Sequence, residues 1–254
     1  GLAEGAQALW RIPPGPAPLA VRVQQALYAG GALQSATRGP AGGQVTAVMP
    51  AEAGWRFGAE ALAQAGAEAL AAQRRHWGDV DAMPRWLLLL LPPPAGSGTA
   101  ETMGGTAWHH ALALQAPTEL TVPGPVFDSL VAQALARAWL NDRFGPLAHA
   151  GRGDEALRTW FTDGWADYLA HRSLLRDGRW TAADYANELN RKIAQYLGLP
   201  ELQVPNAQIA SAAARNPALA ALAAARGEWL ALHWHASLRG AGQPGLEALM
   251  RRLL

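Results

Sequence analysis

Cysteine is absent from all 254 residues, which excludes disulfides, thiolate metal sites and a cysteine nucleophile. Lysine is almost absent too: Lys192 stands alone beside twenty arginines. Those arginines are scattered through alanine-rich segments and form no patch. A net charge of +1 therefore gives no electrostatic reason to expect nucleic acid or an anionic membrane as partner. The longest apolar run, Trp86–Leu91, falls far short of the about 20 residues that a spanning helix needs. No serine sits in a G-x-S-x-G elbow, and MGGT at Met103–Thr106 is a turn signal rather than a phosphate loop. The opening GLAEGAQALW lacks the basic-then-apolar order of a secretory leader, and a leader removed ahead of it would leave no trace here.

What is present is globular composition: half the residues are apolar and 16% are charged. Residues 1–50 are rich in Pro and Gly, with β-like runs at Leu19–Tyr28 and Gln44–Met49 and a loop or hairpin, GGALQSATRGPAGG, between them. A helical pattern runs from about Trp55 to Trp77 and closes at Gly78 as a C-cap should. Arg85–Leu91 reads as a buried strand, and Thr106–Gln115 as a second one. Beyond Pro125 the candidates are helices: Val126–Asn141, Asp154–Arg176, Ala182–Leu197, Ala207–Ala214, Pro217–Arg239 and Gly245–Leu254, with Asp154 and Thr181 as N-caps. Strands first and helices later imply an α+β fold. The expected division is a β-containing lobe at 1–124, carrying one long helix and a cleft-edge strand, and a helical lobe at 125–254.

Three segments carry most of the functional information. They are QALARAW at Gln133–Trp139, WFTDGWADY at Trp160–Tyr168 and AARG at Ala224–Gly227, ahead of a terminal SLRGAGQPGLEALMRRLL. Their order and spacing resemble an H-E-x-x-H-x-W helix, a W-x-x-E-G-[FW]-[AT]-x-Y helix, a Y-x-K-G helix and a terminal S-L-x-x-x-M-R-x-L helix. That is the pattern of the catalytic domain of gluzincin zinc metallopeptidases, with the glycyl-aminopeptidase family as the nearest resemblance and the zinc aminopeptidases behind it. RWLLLLL followed by MGGTAW is similar to the family's edge strand. The resemblance covers roughly residues 55–254 and implies a thermolysin-like architecture, a mixed sheet with a mostly helical second lobe. Extracytoplasmic placement, periplasmic or secreted, is common among such relatives. Their N-terminal β-sandwich and PDZ domain are not evident here.

The scaffold residues Trp139, Trp160, Gly164, Tyr168 and Gly227 match, but the chemical residues do not. A zinc site of this class needs two imidazoles one helical turn apart, a carboxylate from the next helix and a glutamate as general base. At those positions stand Gln133 and Arg137 for the histidines, Ala134 for the base and Asp163 for the third ligand. Ala224 replaces the oxyanion-stabilising Tyr, and Ala107 replaces the Glu that would hold a substrate amine. Loss of a general base alone costs about 10²–10⁴ in rate, and loss of both imidazoles removes the metal with its water activation. The resemblance thus implies a pseudopeptidase with no catalytic residue, no metal and no zinc cofactor, whose cleft binds a peptide or protein. Its candidate binding residues are Arg137, Asp163, Gln133, Trp108, His109 and Asp167. Arg137 and Asp163 are expected to pair where zinc would sit, since either charge alone in a partly buried place is costly.

Two rivals stay open. One is an active metal-dependent hydrolase with a relocated site around Asp163 and Asp167, which lie four residues apart and share a helix face. The other is a structural domain whose old cleft is filled by side chains. Trp108 either lines a cleft or fills the volume left by lost groups. His109 and His110 on one strand would face opposite ways, and His233 and His235 do not share a helix face. His76, His149 and His171 read as isolated surface or capping residues. Trp139, Trp160 and Trp165 fall at positions the family buries, which makes core packing their expectation.

Overall fold

The computed structural model describes residues 7–11, 27–39, 43–78, 85–93, 103–108, 110–144, 158–212 and 216–253. The chain divides into two compact units, Gly1–Ala138 and Trp139–Leu254. The division lies within a helix, some way beyond the 124/125 boundary read from the sequence.

In the first unit, β1 (Gln7–Arg11) and β2 (Leu27–Gly31) form an antiparallel pair. Then come β3 (Leu33–Arg38), β4 (Gln44–Pro50), α1 (Ala59–Trp77), β5 (Arg85–Leu91), β6 (Gly104–Trp108) and β7 (Ala111–Gln115), ahead of α2 (Pro125–Phe144). The five-stranded sheet has the order β3-β4-β5-β7-β6. Its centre is parallel, β4 with β5 and β5 with β7, and its two outer pairs are antiparallel. Central parallel strands are covered on both faces, so they read as unbroken apolar runs, and β5 is RWLLLLL with Trp86–Leu90 buried. Alternation then sorts β5: Trp86, Leu88 and Leu90 join the core made with α1 and α2, while Leu87 and Leu89 pack with Leu27 and Val48. Gly66 lets α1 approach the sheet closely; a Cβ there would stand 2.9 Å from Leu88 Cδ2. Gly78 ends α1 in the left-handed region, φ 68°.

The second unit is helical among its described residues: α3 (Thr159–Thr162), α4 (Gly164–Arg176), α5 (Ala182–Leu197), a 3₁₀ turn at Pro200–Gln203, α6 (Asn206–Ala212), α7 (Pro217–Gly240) and α8 (Leu246–Leu253). A capping box opens α5, with the Thr181 hydroxyl accepting from Asp184 N at 3.1 Å and Asp184 Oδ2 accepting from Thr181 N at 2.8 Å. Asn216 caps α7 by accepting from Ala218 N.

The mixed α+β composition, the strand Arg85–Leu91 and the Thr181 and Gly78 caps agree with the sequence. Of the two readings of Gly30–Gly43, hairpin or loop, the structure has the hairpin: β3 pairs antiparallel with β4, as an edge strand with a half-exposed, polar face. Three readings need correction. Thr106–Gln115 is not one strand but parts of two, β6 and β7, which pair antiparallel, and His110 just ahead of β7 takes φ 56°. The expected helix over Asp154–Arg176 breaks at Asp163 among its described residues. Trp160 is not core but 38% exposed. Asp154, most of Leu19–Tyr28 and His149 lie outside the described residues.

Candidate functional site

Within the first unit, α2 packs against the β6 edge of the sheet. Gly105 lies in the crowded part of this edge: a Cβ there would stand 2.6 Å from Leu114 Cδ2 on β7 and in ordinary contact, 3.7 Å, with Ala134 Cβ of α2. Ala134, at the general-base position of the resemblance, is fully buried in the core. Gln133 is half-buried, with Nε2 donating to Ser129 Oγ at 3.4 Å. Half-buried Arg137 donates from Nη1 to the Gly105 carbonyl at 3.2 Å. Ala107, opposite Leu112 on the same edge strand, is partly buried against the core. The structure therefore brings Ala134, Arg137, Gly105 and the Ala107 strand together. His109 and the Trp108 side chain lie outside the described residues.

These residues do not fit a zinc ion. Where the resemblance calls for two imidazoles and a carboxylate base, an amide, a guanidinium and a methyl stand at Gln133, Arg137 and Ala134. The guanidinium is permanently charged and donor-only, so it repels a cation and cannot ligate one. Among the described residues, no group of three or more His, Asp or Glu side chains is placed to hold a metal.

In the second unit, Asp163 forms the junction of α3 and α4; its N–H bonds to Thr159 O at 3.0 Å and its carbonyl accepts from Asp167 N at 2.9 Å. The tight crossing of α4 over α7 fixes this junction. A Cβ on Gly164 would stand 2.8 Å from both Gly227 Cα and Glu228 N and closer still to the Ala224 carbonyl. A Cβ on Gly227 would overlap the Trp160 carbonyl. The carbonyl of Ala224, where the resemblance calls for a Tyr, thus lies beside Gly164, the residue that follows Asp163.

Asp167 has a different role from Asp163. Its Oδ2 accepts from Lys192 Nζ at 2.7 Å, and the same ammonium donates to Glu228 Oε2 at 2.6 Å. Glu228 Oε1 in turn accepts from His171 Nδ1 at 2.9 Å, and His171 Nε2 lies 4.0 Å from Glu188 Oε1. His171 and Glu228 are 1% and 2% exposed, so His171 is not the surface residue expected from the sequence. Its ring stacks on Trp180 with centroids 5.2 Å apart. Burial by itself pulls Lys192 down, but the Asp167 and Glu228 carboxylates outweigh it and hold the ammonium above its ordinary range. His76 is also buried, against the expectation of a surface residue.

A second set of contacts joins α4 to α7 and α8. Burial, with Glu247 adding to it, pushes the Tyr168 phenol up, so Tyr168 Oη keeps its proton and donates to His235 Nδ1 at 2.6 Å. Burial likewise pushes His235 down, toward the neutral acceptor this bond needs. Arg172 Nε donates to Glu247 Oε1 at 2.9 Å. Beside Asp163, an aromatic cluster joins Trp160, Phe161, Trp165 and Trp234 at centroid distances of 4.8 to 6.1 Å. Trp165 is buried, while Trp160 and Trp234 are 38% and 43% exposed. The ion cluster escaped the sequence because its members come from three helices, yet the single lysine was a visible signal for it.

The chain matches no protein-family model and no curated protein. Its fold is similar to that of an aminopeptidase N family protein from Idiomarina loihiensis known from a crystal structure, with a TM-score of 0.70 and 12% sequence identity. The match covers 98% of this chain and 46% of that one. The chain thus spans less than half the length of that protein, and at this identity the likeness is one of fold: a distant aminopeptidase N-like fold.

Proposed function

We propose that the chain is a non-catalytic, metallopeptidase-like domain whose former cleft binds a peptide or protein. The observation that carries this reading is Arg137: a permanent cation, 3.2 Å from the edge-strand carbonyl of Gly105, on a helix where the resemblance calls for a zinc-binding histidine. In this reading a gluzincin ancestry explains the matching Trp and Gly positions Trp139, Trp160, Gly164 and Gly227, and the extracytoplasmic placement follows from that ancestry. The exposed Trp160 and Trp234 beside Asp163 suit a recognition surface, since Trp is enriched where proteins bind and Lys is depleted.

A relocated hydrolase on Asp163 and Asp167 draws less support, because Asp167 Oδ2 already accepts from Lys192. The test has two arms. Metal analysis of purified protein and a peptidase assay with added zinc should give no stoichiometric zinc and no turnover; chelator-sensitive turnover with bound zinc would end the reading. Selection from a displayed library of unstructured peptides should yield binders whose affinity falls about tenfold in Trp160→Ala and Arg137→Glu. A library that yields no binder would remove the binding half and leave a structural domain.

A further inference from the structure

We propose that α5 is a strap latched by charge, which lifts from α4 and α7 by local opening while those two helices stay folded, with Lys192 as the latch. The proposal is independent of any peptide-binding role.

Three observations carry it. First, no residue of this 16-residue helix is fully buried. Its inward stripe is Tyr185, Glu188, Leu189, Lys192 and Tyr196, all only half-buried, while Ile193 and Leu197 are exposed. α4 and α7, by contrast, meet at glycine contacts that leave no room for a Cβ. Second, the inward stripe docks largely by polar contacts. Lys192 reaches Asp167 of α4 and Glu228 of α7, Glu188 approaches His171 of α4, and Arg191 pairs with Glu188 on α5 itself. Arg172 of α4, with its partner Glu247 of α8, faces Tyr185. The apolar cluster it joins lies at the C-terminal end, where Tyr196 rests on the small cluster around Ile209 and Leu222 and its ring meets Trp229; nearer the N-terminus Leu189 is half-buried. Third, the connection from α4 contains Gly178 at φ 73°, a left-handed position that only glycine takes readily. Segments with few buried apolar contacts open at lower free energy than the core around them. An opened strap bares Asp167 and Glu228, the carboxylates that Lys192 pairs with in the closed strap, and with them His171.

Hydrogen exchange on the native wild-type chain tests the strap directly. Amides of Ala182–Leu197 should exchange at least about tenfold faster than those of Gly164–Arg176 and Pro217–Gly240. Raising NaCl to about 1 M should widen that gap, because screening weakens the ion pairs more than the apolar contacts. Acylation of Lys192 by an N-hydroxysuccinimide ester, read by mass, should be slower than for a free lysine and should speed up about tenfold in Asp167→Asn. Exchange in α5 equal to that of α4 and α7 would overturn the strap. Fast α5 exchange that neither salt nor Asp167→Asn changes would overturn the charge latch. Acylation that appears only with global unfolding in denaturant would overturn both.

Discussion

Inside the sheet unit, the middle of β5 meets methyls and methylenes: Leu88 and Leu90 are 1% and 0% exposed, and their neighbours on α1 and α2 are Ala, Leu and Val. Inside the helical unit, the corresponding depth holds Glu228 and His171, with Lys192 between two carboxylates. Apolar contacts need no particular partner and tolerate shifts of position. Buried charges are stable only while every member is in place, because each left alone bears its full desolvation cost. The helical unit therefore gains little net stability from its ions but gains a strict requirement for one arrangement of α4, α5 and α7.

That contrast can be broken or sharpened by measurement. Gly227→Ala should have the largest effect, above about 4 kcal/mol, because its new Cβ meets the Trp160 backbone and not a side chain that can turn away; chemical denaturation should show the helical unit unfolded or molten. Leu88→Ala in the sheet unit should cost about 3 kcal/mol, and its loss should be the same in low and high salt. Glu228→Gln should cost about 3 kcal/mol by taking the buried carboxylate from His171 and leaving Lys192 with Asp167 alone. The double variant with Lys192→Met should lose less than the sum, and additivity would show that the ions do not act as a unit.

The pH response should also differ between the units. Lys192 is held above its ordinary value of 10.5 in the fold, so its contribution is complete below that pH and is lost as pH rises through the higher folded value. Tyr185, raised by burial, acts in the same direction. Urea midpoints taken across the alkaline range should fall for the wild type and fall less for Lys192→Met. His235 is lowered by burial from 6.5, so its contribution is complete above that value and is lost as pH falls; a His235→Gln variant should show a flatter acid limb. The smallest effect is Thr181→Ala, about 1 kcal/mol from the lost cap, seen as faster exchange in the first turn of α5.

Legibility in the sequence followed the same division. β5 could be read because burial on both faces leaves an unbroken apolar run, and α1 because Gly78 marks its end chemically. β3 could not, since LQSATR at a sheet edge has a wet face and carries the composition of a loop. The reversal between β6 and β7 was hidden because His110 takes the left-handed position where Gly or Asn usually signals it. The positions around Gln133, Ala134 and Arg137 were legible only through their scaffold neighbours. The ion cluster was hidden because Asp167, Lys192 and Glu228 are far apart in the chain, and pairing between helices has no sequence period. Lysine does the bridging where arginine is used elsewhere: a compact ammonium on a flexible stem donates to both Asp167 and Glu228.

The solitary Lys192 also makes the chain its own gauge. A lysine-specific endoprotease has one bond to cut in these 254 residues, between Lys192 and Ile193. In the folded chain that bond lies inside α5, so the appearance of two fragments, 1–192 and 193–254, dates the moment the helix lets go.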